Sequence, residues 1–247
     1  MCIAIFKPAR VKIYEDVLRD CFAWHSDGAG FMVHNPETNK VIMRKGFFTY
    51  EAFIKAFRPY MEHKAVIHFR MATHGVLDAE NCHPFMVSED LGFVHNGQIH
   101  NVKEWDETKS DTWHFNEAIL KPLYHSFGVS IVKHRTVRHL IERYINRNKL
   151  VFMDNTGEVT IYNEDLGIWD TGCWFSNDTY QYTPQQIAEY LGYDPEKLGG
   201  VEDNVPSVKL ADIGCGCDDN IGDILDEDET EESEAAMSSE GSPVAQA

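Results

Sequence analysis

Short apolar runs broken by turn residues set the pattern of this chain, and several are too short to be helices. Cys2–Phe6, Ala65–Arg70 and Leu91–His95 read as buried strands, the last two each running into a polar, glycine-containing segment. Phe31–His34 and Val41–Arg44 flank Asn35-Pro36-Glu37-Thr38-Asn39, and Leu150–Asp154 and Glu158–Tyr162 flank Asn155-Thr156-Gly157. Both pairs carry the turn chemistry of hairpins. Val17, Leu18, Cys21 and Phe22 fall at helical spacing within Tyr14–Trp24, and Thr49 is placed to cap a helix running to Phe57. Further helices are expected over Thr112–Leu120, stopping before Pro122, over Thr136–Asn146, and from Thr183-Pro184 through Leu191. Strands in hairpin order mixed with helices predict an α+β fold with largely antiparallel sheets rather than a doubly wound one.

Charge divides the chain. Residues 201–247 hold 14 acidic residues and one lysine, which is −13 of a net −18. Large apolar residues are few there, so burial cannot offset the entropy of ordering, and the segment is expected to be a mostly disordered acidic tail. The globular part is then one domain over residues 1–200. No basic stripe is present, and an acidic body and tail repel phosphates, so direct nucleic-acid binding is not expected. No apolar run approaches the ~18 residues of a membrane span, and the first residues lack the build of a signal peptide. Six cysteines without a secreted-scaffold pattern point to reduced thiols in a cytosol-like compartment, hence a cytoplasmic protein.

Chemistry gathers in three places. Cys2 becomes the first residue if Met1 is removed, and its thiol then stands beside an α-amine that titrates near ~8 and can serve as a base. Next comes His68-Phe69-Arg70-Met71-Ala72-Thr73-His74-Gly75, followed by Asn81-Cys82-His83-Pro84-Phe85. A strand delivers Arg70 to its end, where a guanidinium can clamp a carboxylate or simply pair with a surface acid. Last is Phe93-Val94-His95-Asn96-Gly97-Gln98-Ile99. There a side-chain amide and a glycine N–H can form an oxyanion hole, or the dipeptide can be a plain hairpin turn.

Taken together, Cys2, R-x-A-T-H-G, N-x-H-P-F and H-N-G-x-I resemble a class II glutamine amidotransferase domain, one of the N-terminal-nucleophile hydrolases. The resemblance covers roughly residues 2–200, with its specific matches in 2–111. It implies a four-layer αββα sandwich; no cofactor and no metal are expected. It also implies that Cys2 attacks the glutamine side-chain amide with its own α-amine relaying the proton, and that water then hydrolyses the thioester. Asn96 and Gly97 match the oxyanion donors, and Arg70 the residue that grips the glutamine α-carboxylate. Thr73 and His74 match the residues lining that pocket, and Asp111 the partner of the α-ammonium. A zwitterionic substrate end needs one cation and one anion, and leaves both unpaired in an analogue that lacks it.

Trp24-His25-Ser26-Asp27-Gly28-Ala29-Gly30 resembles compact, stand-alone members, although a tight turn accounts for its glycines equally well. Two departures stand out: Ile3 follows the nucleophile where many members have Gly, and Thr112-Trp113 follows Asp111 where an acid two residues on is commoner. No ammonia-using domain is recognised, so a separate acceptor-using protein partner is expected. The alternatives are hydrolysis of another γ-glutamyl amide, or a non-catalytic binding or regulatory member of the fold. The twelve histidines lack the spacing of a helical zinc motif. Cys215-Gly216-Cys217 can hold a soft metal or form a redox pair but lacks further ligands.

Overall fold

The computed structural model describes residues 2–183 and 186. The chain divides between Ser207 and Val208, and the described residues all lie in the first unit. The acidic tail, Cys215-Gly216-Cys217 and most of the helix expected through Leu191 fall outside them.

Among the described residues ten strands form two antiparallel sheets. The larger holds β1 (Ile3–Lys7), β2 (Ala29–Asn35), β3 (Lys40–Phe47), β4 (Ala65–Phe69), β9 (Ile168–Asp170) and β10 (Cys173–Phe175), in the order β3-β2-β4-β1-β10-β9. The smaller runs β5 (Phe85–Ser88), β6 (Leu91–Asn96), β7 (Lys149–Asp154) and β8 (Val159–Tyr162). Helices α1 (Glu15–Trp24) and α2 (Tyr50–Phe57) go with the first sheet, and α3 (Asp111–Phe115), α4 (Lys121–Phe127) and α5 (Arg135–Ile145) with the second.

Strand alternation produces the layers, because successive side chains point to opposite faces. In β1, Ile3 and Ile5 meet Leu18, Phe22, Phe53 and Phe57 of α1 and α2, along with Phe31, Ile67 and Phe69 from neighbouring strands. Ala4 of the same strand points the other way, with Met32, Val66 and Trp174, into a layer closed by Val94, Val151, Met153 and Ile161 of the second sheet. The far face of that sheet carries Phe93, Leu150, Phe152 and Tyr162 against Phe115, Leu120, Ile141 and Ile145. Helices, sheet, sheet and helices are the expected αββα sandwich.

One helix runs past its expected end. Instead of stopping before Pro122, the chain stays helical from Asp111 to Phe127, through a π-helical stretch at Asn116–Leu120. The wider turns shift the backbone register ahead of Pro122, which stands in the first turn of α4 and has no N–H to bond back to the π-helical stretch. Among the described residues no helix is long and apolar enough to cross a membrane.

Candidate active site

Antiparallel pairing brings the site together. β1 pairs with β4 so that Ile3 faces Phe69, which sets Cys2 and Arg70 side by side at one end of the sheet. β10 flanks β1 on its other side and leads into Ser176 and Asn177. Asn177 Nδ2 donates to Cys2 O at 2.9 Å. Ser176 N donates to Ala4 O and Ala4 N to Ser176 Oγ, both at 2.9 Å. The strand that follows Cys2 is therefore pinned from both sides up to its first residue.

The half-buried Cys2 thiol donates to Met71 O and accepts from Met71 N, each at 3.3 Å. Burial pushes the thiol above its ordinary range, opposed by the positive chain terminus, the Met71 N–H and Arg70. The resting sulfur is thus held protonated, and a nearby base is needed to make it a nucleophile.

Arg70 is buried and already partly engaged, donating from Nη2 to His74 O at 2.9 Å and from Nη1 to Val76 O at 3.2 Å. These bonds curl the segment after β4 around the guanidinium, and a guanidinium has further donors to offer a ligand. Asp27, which the sequence alone does not place among the catalytic residues, accepts from Ala72 N at 2.8 Å and so holds the start of the same segment.

Asp111 opens α3, where the exposed N–H groups of a helix start favour a carboxylate. It is buried and accepts from Ile99 N and Thr112 N, both at 2.7 Å. Asn81, fully buried, ties this element to the Arg70 segment. Its Nδ2 donates to Val76 O (3.2 Å) and Thr108 O (2.8 Å), while its Oδ1 accepts from Ser110 N at 2.8 Å. The N-x-H-P-F pattern contained Asn81, but a pattern does not say which carbonyls an amide will bridge.

Gly97 ends β6 with φ +128°, and a Cβ there would lie 1.9 Å from Asn148 Oδ1. Only glycine fits, for both reasons. No tight hairpin follows, because β6 pairs next with β7, far along the chain. Asn96 is buried, with Nδ2 placed 2.8 Å from Ser176 Oγ and Oδ1 without a partner among the described residues.

Cys2, Arg70, Thr73, His74, Gly97 and Asp111 line one cavity, joined by His83, His95 and Thr112. Six of the seven residues expected from the sequence meet there. Asn96 is not among the lining residues and sits one residue behind Gly97. His83 and Ser176 had been given no part. His83 is buried, lies against His68 with ring centroids 4.0 Å apart and the rings tilted by 38°, and among the described residues has no hydrogen-bond partner for either ring nitrogen. His95 sits between Thr112 Oγ1 at 2.7 Å and Asn148 Oδ1 at 2.9 Å. Among the described residues no group of His, Cys, Asp or Glu is arranged to hold a metal ion.

Residues 22–116 match the family model of class-II glutamine amidotransferases, a stretch that holds every expected site residue except Cys2. No curated protein matches the chain. Among solved structures it is similar to glutamine phosphoribosylpyrophosphate amidotransferase from B. subtilis, complexed with ADP and GMP, at 13% identity and a TM-score of 0.43. The alignment covers 74% of this chain and 44% of that one, so the chain spans less than half the length of that enzyme.

Proposed function

We propose that this chain, which resembles class-II glutamine amidotransferases over residues 22–116, hydrolyses the side-chain amide of glutamine through Cys2. What supports the reading is that Cys2, Arg70, Gly97 and Asp111, from four separate segments, line one cavity. A protonated thiol between a cation and an anion suits a substrate that carries both an α-carboxylate and an α-ammonium.

The reaction requires removal of Met1. The free α-amine of Cys2 then takes the thiol proton, and sulfur attacks the amide carbon. Negative charge gathers on the amide oxygen, facing the Gly97 N–H and the Asn96 amide. On collapse the C–N bond breaks, the α-ammonium returns a proton to nitrogen, and ammonia leaves behind a γ-glutamyl thioester. Water adds to the thioester with the amine as base, the C–S bond breaks, and glutamate and the free thiol are restored. The ammonia is taken up by an acceptor on a separate protein partner.

A substrate panel tests the reading. Ammonia and glutamate are measured from glutamine, and free amine from γ-glutamyl amides, with the purified chain alone and with lysate added. Glutamine should be turned over, and Cys2→Ala should lower the rate by about three orders of magnitude or more. Turnover confined to other γ-glutamyl amides would reassign the substrate, and full activity in Cys2→Ala would remove the mechanism.

A further inference from the structure

The first residue of a chain is harder to hold than any other strand residue, because only one peptide bond ties it down. Along a strand the backbone groups of successive residues leave on opposite sides. Ala4 N and O both bond Ser176, which follows β10, so those of Ile3 face β4, where Ile3 pairs with Phe69. The groups of Cys2 then leave on the β10 side, where Asn177 Nδ2 donates to Cys2 O at 2.9 Å. The Cys2 nitrogen emerges on that same side. Asn177 is firmly oriented for this contact. Its Oδ1 accepts from Thr179 N at 3.3 Å and from Thr179 Oγ1 at 2.7 Å. A backbone N–H can only donate, so that bond decides which end of the amide is oxygen, and Nδ2 is left facing Cys2. Thr179 in turn opens the 3-10 turn Thr179–Gln181, whose Tyr180 ring stacks on Phe175 of β10 with centroids 3.7 Å apart.

We infer that Asn177 is a positioning residue that sets where the α-amine of Cys2 stands relative to its own thiol. This rests on the function proposed above, in which that amine carries the proton. Three anchors reach the residue. β4 holds the Cys2–Ile3 peptide through Ile3, Asn177 holds the same peptide by its oxygen, and Met71 holds the sulfur through its N–H and its carbonyl. With the peptide plane and the sulfur both fixed, the tetrahedral Cα leaves the nitrogen one place. Without Asn177 the plane is held along one edge only and can rock about the strand, carrying the amine with it. Met71 would still hold the thiol, so the loss separates base from sulfur and removes neither. Asn177 is not among the residues lining the cavity, so it acts through Cys2 and not on a substrate. It had no signal in the sequence, since it follows β10, itself a short strand paired to β1 from far along the chain.

Two measurements test this, both on the chain freed of Met1. In kinetics, Asn177→Asp keeps the size of the side chain and the acceptor for Thr179 but loses the N–H groups that meet Cys2 O. Its kcat for glutamine should fall about ten- to a hundredfold, the scale of a small misplacement of a reacting group, with KM changed far less. Thr179→Val removes one of the two bonds that orient the amide and should give a smaller loss of kcat. In an Asn177→Asp background it should cost little more, because the two act as one unit. The second measurement needs no glutamine: the rate of Cys2 alkylation by iodoacetamide is followed against pH. Asn177→Asp should move the inflection to higher pH, because the thiolate loses an aligned ammonium, and Asn177→Leu, which adds no charge, should do the same. If the wild-type chain has no glutaminase activity, the proposed function fails, while the alkylation profile still decides whether Asn177 places the amine. A profile that does not move in Asn177→Leu overturns the inference. Lost activity that comes only with a lower melting temperature would then mean that Asn177 serves the fold alone.

Discussion

At the residue scale, Cys2 carries an apparent contradiction, since burial pushes its thiol above the ordinary range while nucleophilic attack needs the thiolate. In the proposed mechanism the α-amine resolves it by taking the proton as the bond to carbon forms, so a stable buried thiolate is never needed. Asp111 has a different task. Its two oxygens already accept from Ile99 N and Thr112 N, which aims the carboxylate and leaves lone pairs for a ligand. Asp111→Asn removes the charge and turns one accepting oxygen into an NH2 that faces a backbone N–H. KM for glutamine should rise roughly 10- to 100-fold, the worth of a charge-assisted hydrogen bond of about 1.5–3 kcal/mol. Glutaramate keeps the amide and the carboxylate but lacks the α-amine, so its turnover should change little. An equal loss on both substrates would show that Asp111 serves the fold and not the ammonium.

At the scale of elements, β4, β6 and the segment entering β5 bring His68, His95 and His83 together. Burial holds His68 and His83 well below the ordinary histidine range, with His95 and His68 respectively adding to the effect, and burial lowers His95 too, against the pull of Asp111. These groups are neutral in the fold, whereas in the unfolded chain they take up protons below about pH 6.5. The unfolded state then binds more protons, and stability falls as pH drops from the unfolded value through the lower folded ones. Urea midpoints at pH 7.5, 6.5 and 5.5 should therefore decline in that order, and His83→Phe should flatten the decline. A variant with the wild-type slope would rule out His83 as a contributor.

The strands and helices with strong local signals were legible in advance. Thr49 caps α2 by accepting from Ala52 N at 3.3 Å, and the Asn155-Thr156-Gly157 turn joins β7 to β8 as its composition requires. What stayed hidden depends on distant partners. β5, β9 and β10 are three or four residues long, too short for periodicity to reveal, and β10 becomes a strand by pairing with β1. The continuation past Pro122 was missed because a π turn is a register adjustment that leaves no mark in apolar spacing. For the site, the motif residues were readable because they cluster in sequence. Ser176 and Asn148 were not, since each acts on a residue about 80 or 50 positions away.

At the scale of the whole molecule, the site lies where two sheets meet. The larger supplies Cys2 and Arg70 from β1 and β4, while the smaller supplies Asn96 and Gly97 from the end of β6. The packed layer of Ala4, Met32, Val66 and Trp174 against Val94, Val151, Met153 and Ile161 fixes the sheets to each other, and so fixes Cys2 relative to Asn96 and Gly97. Cys2, Arg70 and Gly97 each stand one residue beyond a strand end, where the sheets hold them, which favours a preorganised site. The central claim is that Cys2 is a free N-terminal nucleophile directed at glutamine. Mass spectrometry of the chain after exposure to an electrophilic glutamine analogue, a diazo-ketone, tests it most directly. The expected product has lost Met1 and carries one adduct, mapped to Cys2 and suppressed by excess glutamine. A chain that retains Met1, or an adduct that persists in Cys2→Ala, would contradict the account.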